Sequence, residues 1–113
     1  AGILSGGQLQ MLCIGRGLMA RPKMIMLDEP SSALAPQVIL DIFQTVARIR
    51  RDGTTILVVE QNVRMALLLA SFGYVIKDGA MHMKGESDAL LNDDNVRLSY
   101  LGGTLASAEG ATL

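Results

Sequence analysis

Val38, Ile39, Ile42, Phe43, Val46 and Ile49 recur at the i, i+3, i+4, i+7 spacing of one helical face. Pro36 stands where a first helical residue needs no N–H, so the pattern predicts an amphipathic helix opening there. Arg48, Arg50 and Arg51 complement the dipole at its far end, and Gly53 supplies the C-cap. On either side the period changes. Residues 24–27 are a short apolar run, and residues 54–59 (Thr-Thr-Ile-Leu-Val-Val) are β-branched and continuous, the pattern of a buried strand. Strand, helix, strand in this order predicts a parallel, right-handed βαβ unit.

The flanks extend this α/β pattern. Ser5 is a good N-cap for a helix over residues 7–20, whose apolar Leu9, Leu12, Leu18 and Met19 stand near helical spacing. Arg21-Pro22 ends it. Asn62 caps a third helix over residues 63–71. Residues 74–77 and 80–84 flank Asp78-Gly79, a strong hairpin-turn signal. Ser87 or Asp88 begins a short helix, and residues 95–100 form another. From Gly102 the residues are nearly all small, so residues 104–113 are expected to be a disordered tail after a domain over 1–103. There is no internal repeat.

The 113 residues suffice for one small domain. Half are hydrophobic, mean hydropathy is +0.34, and only four are aromatic. An aliphatic surplus with seven Met fits a buried parallel sheet covered by helices. The longest strongly apolar stretch, residues 65–70, is too short to span a bilayer. Net charge is −1 without a basic block, which argues against non-specific nucleic-acid binding. A single cysteine, Cys13, forms no internal disulfide and reads as a small apolar helix residue. His82, the single histidine, lies in the hairpin and reads as a surface residue. The methionines read as core filler.

Two short segments carry chemistry. Asp28 and Glu29 end an apolar strand at the carboxyl edge, where open α/β sheets bind ligands. Adjacent carboxylates repel unless a cation sits nearby, and Mg²⁺ prefers carboxylate oxygen and water. That assigns Asp28 to the metal and leaves Glu29 to orient or deprotonate an attacking water. Ser5-Gly6-Gly7-Gln8 opens a helix. Helix N-termini bring unpaired N–H groups and a positive dipole end, and glycines let backbone approach an anion. Either segment alone is equally well read as ordinary structure, a solvated acidic pair or a capped helix.

Together, Leu4-Ser5-Gly6-Gly7-Gln8, one helix, and an apolar strand ending Asp28-Glu29-Pro30 closely resemble the ATP-binding-cassette (ABC) ATPases. The first resembles the ABC signature and the second the Walker B strand. The resemblance runs from Leu4 to about Gly103. It implies a P-loop NTPase fold, of which this chain holds the C-terminal part. Residues 31–36 (Ser-Ser-Ala-Leu-Ala-Pro) fall at the D-loop, with Ala35 where the family usually has Asp. Residues 59–62 (Val-Glu-Gln-Asn) fall at the switch loop, with Gln61 where the family usually has His. Gln still donates to a phosphate oxygen but does not change charge near neutral pH. Leu-Ala-Pro, Val-Glu-Gln-Asn, Gly-Tyr-Val-Ile-Lys-Asp-Gly and the closing Tyr-Leu-Gly-Gly are similar to the ATPase subunits of branched-chain amino-acid importers.

The resemblance implies ATP and Mg²⁺ as cofactors and a site on the cytoplasmic face of the inner membrane. The implied partners are a second ATPase subunit (identical or not), membrane permease subunits and a periplasmic binding protein. Asp28, Glu29 and Gln61 would serve their own subunit's ATP, whereas Ser5, Gly6, Gly7 and Gln8 would serve the partner's. The family's phosphate loop has no counterpart in the sequence. The chain is therefore expected to have two exposed strand edges, to self-associate, and to hydrolyse no ATP alone. The alternatives are a non-transport ABC ATPase and a non-enzymatic remnant that acts as an interaction fragment.

Overall fold

The computed structural model describes residues 3–101, and the tail expected over 104–113 lies outside them. The element order is α1 (Gly6–Met19), β1 (Met24–Asp28), α2 (Pro36–Arg51), β2 (Thr55–Val59), α3 (Val63–Leu69), β3 (Phe72–Lys77), β4 (Ala80–Glu86), α4 (Ser87–Asn92) and α5 (Asp94–Tyr100). Two compact units divide at Gln61/Asn62. Among the described residues, sheet hydrogen bonding is confined to a parallel pair, β1–β2, in the first unit and an antiparallel pair, β3–β4, in the second.

The first unit is built around α2. Ile42, Phe43, Val46, Ala47 and Ile49 are buried on one side of this helix, close to the stripe that the sequence marks. Asp52 is the C-cap, and Gly53 follows it with φ +99°, a left-handed turn that glycine adopts without strain. α2 contacts α1 and β2. Gly7 is buried at the start of α1, where α2 comes so close that an added Cβ would collide with the Val38 side chain.

Pro36 is the first helical residue, and Ala35 occupies the N-cap without a side-chain hydrogen bond. The N–H groups of the first turn therefore lack the acceptor that Asp would bring. Ala35→Asp is expected to stabilise the first unit by about 1 kcal/mol. Denaturant titration of both proteins measures this, and an unchanged unfolding free energy would contradict it.

Three expectations require correction. The strands are not buried on both faces: exposure alternates strictly along β1 and β2. Ile25, Leu27, Ile56 and Val58 are half-buried, while Met24 (46% exposed), Met26 (73%), Leu57 (45%) and Val59 (56%) line an open face. A parallel sheet needs cover on both faces, and the described residues supply it on one. In α1 the buried residues are Gly7 and Ile14, not the expected stripe. Leu9, Leu12 and Met19 are exposed; Cys13 is a residue of this helix, as expected, and is exposed too. Among the methionines, Met65 is buried and Met83 half-buried, whereas Met11, Met19, Met24, Met26 and Met81 are exposed.

In the second unit Asn62 caps α3, accepting the Met65 N–H at 3.2 Å. α3 stops at Leu69, two residues earlier than the sequence predicts. Leu67, Leu90 and Val96 form the core, with Val63, Met83, Leu91, Tyr100 and Leu101 packed on it. The hairpin turns at Asp78 (φ +52°) and Gly79 (φ +75°), the two positive-φ positions of a type I′ turn. Val75 pairs Met83 and Ile76 pairs Met81, so exposed His82 is the extra residue of a β-bulge.

Candidate functional site

At the start of α1, Ser5 and Gln8 form a reciprocal capping box. The Ser5 Oγ accepts the Gln8 N–H at 3.3 Å, and the Gln8 Oε1 accepts the Ser5 N–H at 2.9 Å. Leu9 N–H donates to the Ser5 carbonyl at 2.9 Å. The N–H groups of Gly6 and Gly7 have no partner among the described residues. They are the first-turn donors that a helix leaves for an anion. The Ser5 hydroxyl, used as an acceptor, keeps its own proton to donate. The two glycines differ: Gly6 is exposed, and Gly7 is required by the approach of α2.

β1 and β2 run in register, with Asp28 beside Val59. Asp28 is exposed at the strand end, and its carboxylate has no protein partner among the described residues. Glu29 N–H donates to the Val59 carbonyl at 2.8 Å, and the chain then turns sharply. Glu29 has φ +43° and Ala33 φ +58°, left-handed values that cost a non-glycine residue about 1 kcal/mol or more. The turn is closed by Ser32 N–H to the Glu29 carbonyl (3.0 Å) and Leu34 N–H to the Ser31 carbonyl (3.3 Å).

The end of β2 grips this turn. Gln61 Nε2 donates to Glu29 Oε1 at 2.8 Å. Glu60 Oε1 accepts the Ser31 N–H at 2.9 Å in a half-buried position. Asp28, Glu29 and Gln61, singled out in the sequence, thus converge on one strand-end cluster. Ser5–Gln8 form a separate feature at the helix start. Glu60 was not singled out. Its signal was an acid following an apolar strand that runs parallel to the one ending Asp28-Glu29.

Among the described residues no group of three His, Cys, Asp or Glu is arranged to hold a metal. The residues that could hold a metal here are the exposed carboxylate of Asp28 and the neighbouring Glu29, and one or two carboxylates are what Mg²⁺ typically takes from protein. No helix among the described residues is long and apolar enough to cross a membrane.

The family profile described as ABC transporter matches residues 1–32. The high-affinity branched-chain amino acid transport ATP-binding protein BraG of Pseudomonas aeruginosa is 50% identical over 103 residues, 91% of this chain and 44% of that protein. A crystal structure of an ATP-binding cassette of an ABC transporter in its ADP conformation superposes with TM-score 0.74. It is 38% identical and covers 90% of this chain and 42% of its own. A dimeric bacterial ABC transporter cassette superposes with TM-score 0.65 at 30% identity, over 74% of this chain and 36% of its own. Fold and motif order together define an ATP-binding cassette of the α/β class. The chain belongs to the ATP-binding proteins of ABC transporters, and it spans about two-fifths of the length of the curated relatives it matches.

Proposed function

We propose that the chain supplies the hydrolytic carboxylate and the signature helix of an ATPase subunit that powers import of branched-chain amino acids. The observation that carries this reading is the 2.8 Å hydrogen bond from Gln61 to Glu29 beside Asp28 at the strand end. In this reading Glu29 accepts a proton from the water that attacks the γ-phosphorus. Gln61 fixes the Glu29 carboxylate, and its second amide proton is available to a phosphate oxygen. Asp28 would hold Mg²⁺, which would supply positive charge against that developing on the phosphates. Ser5, Gly6, Gly7 and Gln8 address the γ-phosphate of ATP held by a second subunit; the cassette noted above as dimeric supports a two-subunit assembly. The subunit would work with membrane permeases on the cytoplasmic face of the inner membrane. The substrate class rests on the 50% identity to BraG.

The test compares the whole ATPase, the 113-residue chain, and the whole ATPase reconstituted with its permeases. The whole protein is expected to hydrolyse ATP and to drive leucine uptake in vesicles, and the isolated chain is expected to show no measurable turnover. Turnover by the isolated chain, or vesicles whose leucine uptake ignores ATP, would contradict the proposal. A second reading, a non-enzymatic interaction module, is favoured by the open apolar face of β1–β2. Turnover by the whole protein would exclude it.

A further inference from the structure

The geometry points to Glu60 as a positioning residue that holds the 29–34 turn, and with it the Glu29 carboxylate, in working geometry. The inference deepens the ATPase reading above and rests on it for its kinetic part alone. Three consecutive residues grip the turn. Val59 takes the Glu29 N–H at 2.8 Å, Glu60 takes the Ser31 N–H at 2.9 Å, and Gln61 donates to the Glu29 side chain at 2.8 Å. Glu60 is the one of these whose side chain holds backbone. The bond ties residues far apart in sequence and is half-buried, where a backbone N–H left without an acceptor is costly.

What it opposes is visible in the backbone. Glu29 has φ +43°, which a non-glycine residue keeps only where surrounding contacts over-determine it. Within the turn itself, the Ser32 N–H to Glu29 carbonyl bond (3.0 Å) closes a short three-residue span. Without an acceptor for Ser31, the turn is free to relax toward ordinary φ, and the Glu29 side chain then swings away from Gln61. Glu60 therefore acts through Glu29. Its Oε1 is committed to Ser31 and performs no proton transfer of its own.

Reach and charge are separable at this position. Glu60→Gln keeps an oxygen at the same distance and loses the charge. Glu60→Asp keeps the charge and shortens the side chain by one methylene. The full-length ATPase carrying each substitution is followed by hydrogen exchange across residues 29–34 and by steady-state ATP turnover. Glu60→Asp and Glu60→Ala are expected to speed Ser31 amide exchange by roughly tenfold or more. Their kcat is expected to fall by about 10–100-fold with a nearly unchanged KM, because a misplaced catalytic group costs turnover rather than binding. Glu60→Gln is expected to stay within about threefold of wild type in both, because its amide oxygen still accepts the Ser31 N–H. The reverse order, with Asp tolerated and Gln not, would assign Glu60 a charge role and overturn the proposal. So would Ser31 exchange that ignores Glu60→Asp. Absence of turnover in the wild-type protein would sink the ATPase reading instead, and exchange would still decide whether Glu60 holds the turn.

Discussion

Glu29→Gln in the whole ATPase is expected to lower kcat by about 10²–10⁴-fold while leaving the KM for ATP within about threefold. Gln has the size and shape of Glu, and its amide oxygen still accepts the Gln61 N–H now found at 2.8 Å. The substitution therefore keeps the strand-end cluster and removes one capacity, the acceptance of a proton from water. Loss of kcat at constant KM is the signature of an interaction made in the transition state. The backbone provides a second handle. Glu29 sits at φ +43°, where glycine carries no strain. Glu29→Gly should therefore be as inactive as Glu29→Gln, yet at least as stable as wild type. A carboxylate kept at a strained position against this stability gradient is expected at a functional site. A Glu29→Gln enzyme retaining more than about a tenth of wild-type kcat would remove Glu29 from the role of base.

The elements differ in how far the sequence discloses them, for physical reasons. α2 is legible because one helix face is apolar and the remainder is mostly polar, so the pattern admits one burial solution. The hairpin is legible because Asp78-Gly79 supplies both positive-φ residues that the turn needs. α1 is less so. Leu9, Leu12, Leu18, Met19 and Ile14 are all apolar, and periodicity does not say which of them is covered; Ile14 is the buried one, two turns on from buried Gly7 and on the same helix face. The strands show a different limit. An apolar run states that both faces favour cover, and whether cover is present depends on other segments. At the strand end, Asp28, Glu29 and Gln61 stand out as candidates because their motif order is specific. Glu60 does not, since a strand-end acid reads equally well as solvated. Its contact with Ser31 follows from the register that brings β2 alongside β1 and from the turn that Glu29 makes.

The 113-residue chain, prepared alone, is expected to associate with itself, and the open face of β1–β2 is the driving surface. Met24, Met26, Leu57 and Val59 lie on it contiguously, since Met26 is registered beside Leu57 and Met24 and Val59 flank them on alternate positions. Contiguous exposed apolar surface of this kind is where soluble proteins bind other protein. Covering one Met or Leu side chain is worth about 1.5–3 kcal/mol, so four such residues on each of two copies outweigh much of the entropy lost on association. Unpaired strand edges add backbone donors and acceptors to the same surface. Met26→Lys with Leu57→Glu places opposite charges on one cross-strand pair, which keeps the strands matched while making the face polar. Losing two apolar side chains per copy should weaken association by about two orders of magnitude or more. Sedimentation velocity across a concentration series, with circular dichroism to show that helix content is kept, measures both proteins. A wild-type chain that stays monomeric at every concentration and unfolds cooperatively would show that the face is stable in water, and the double variant would then change nothing.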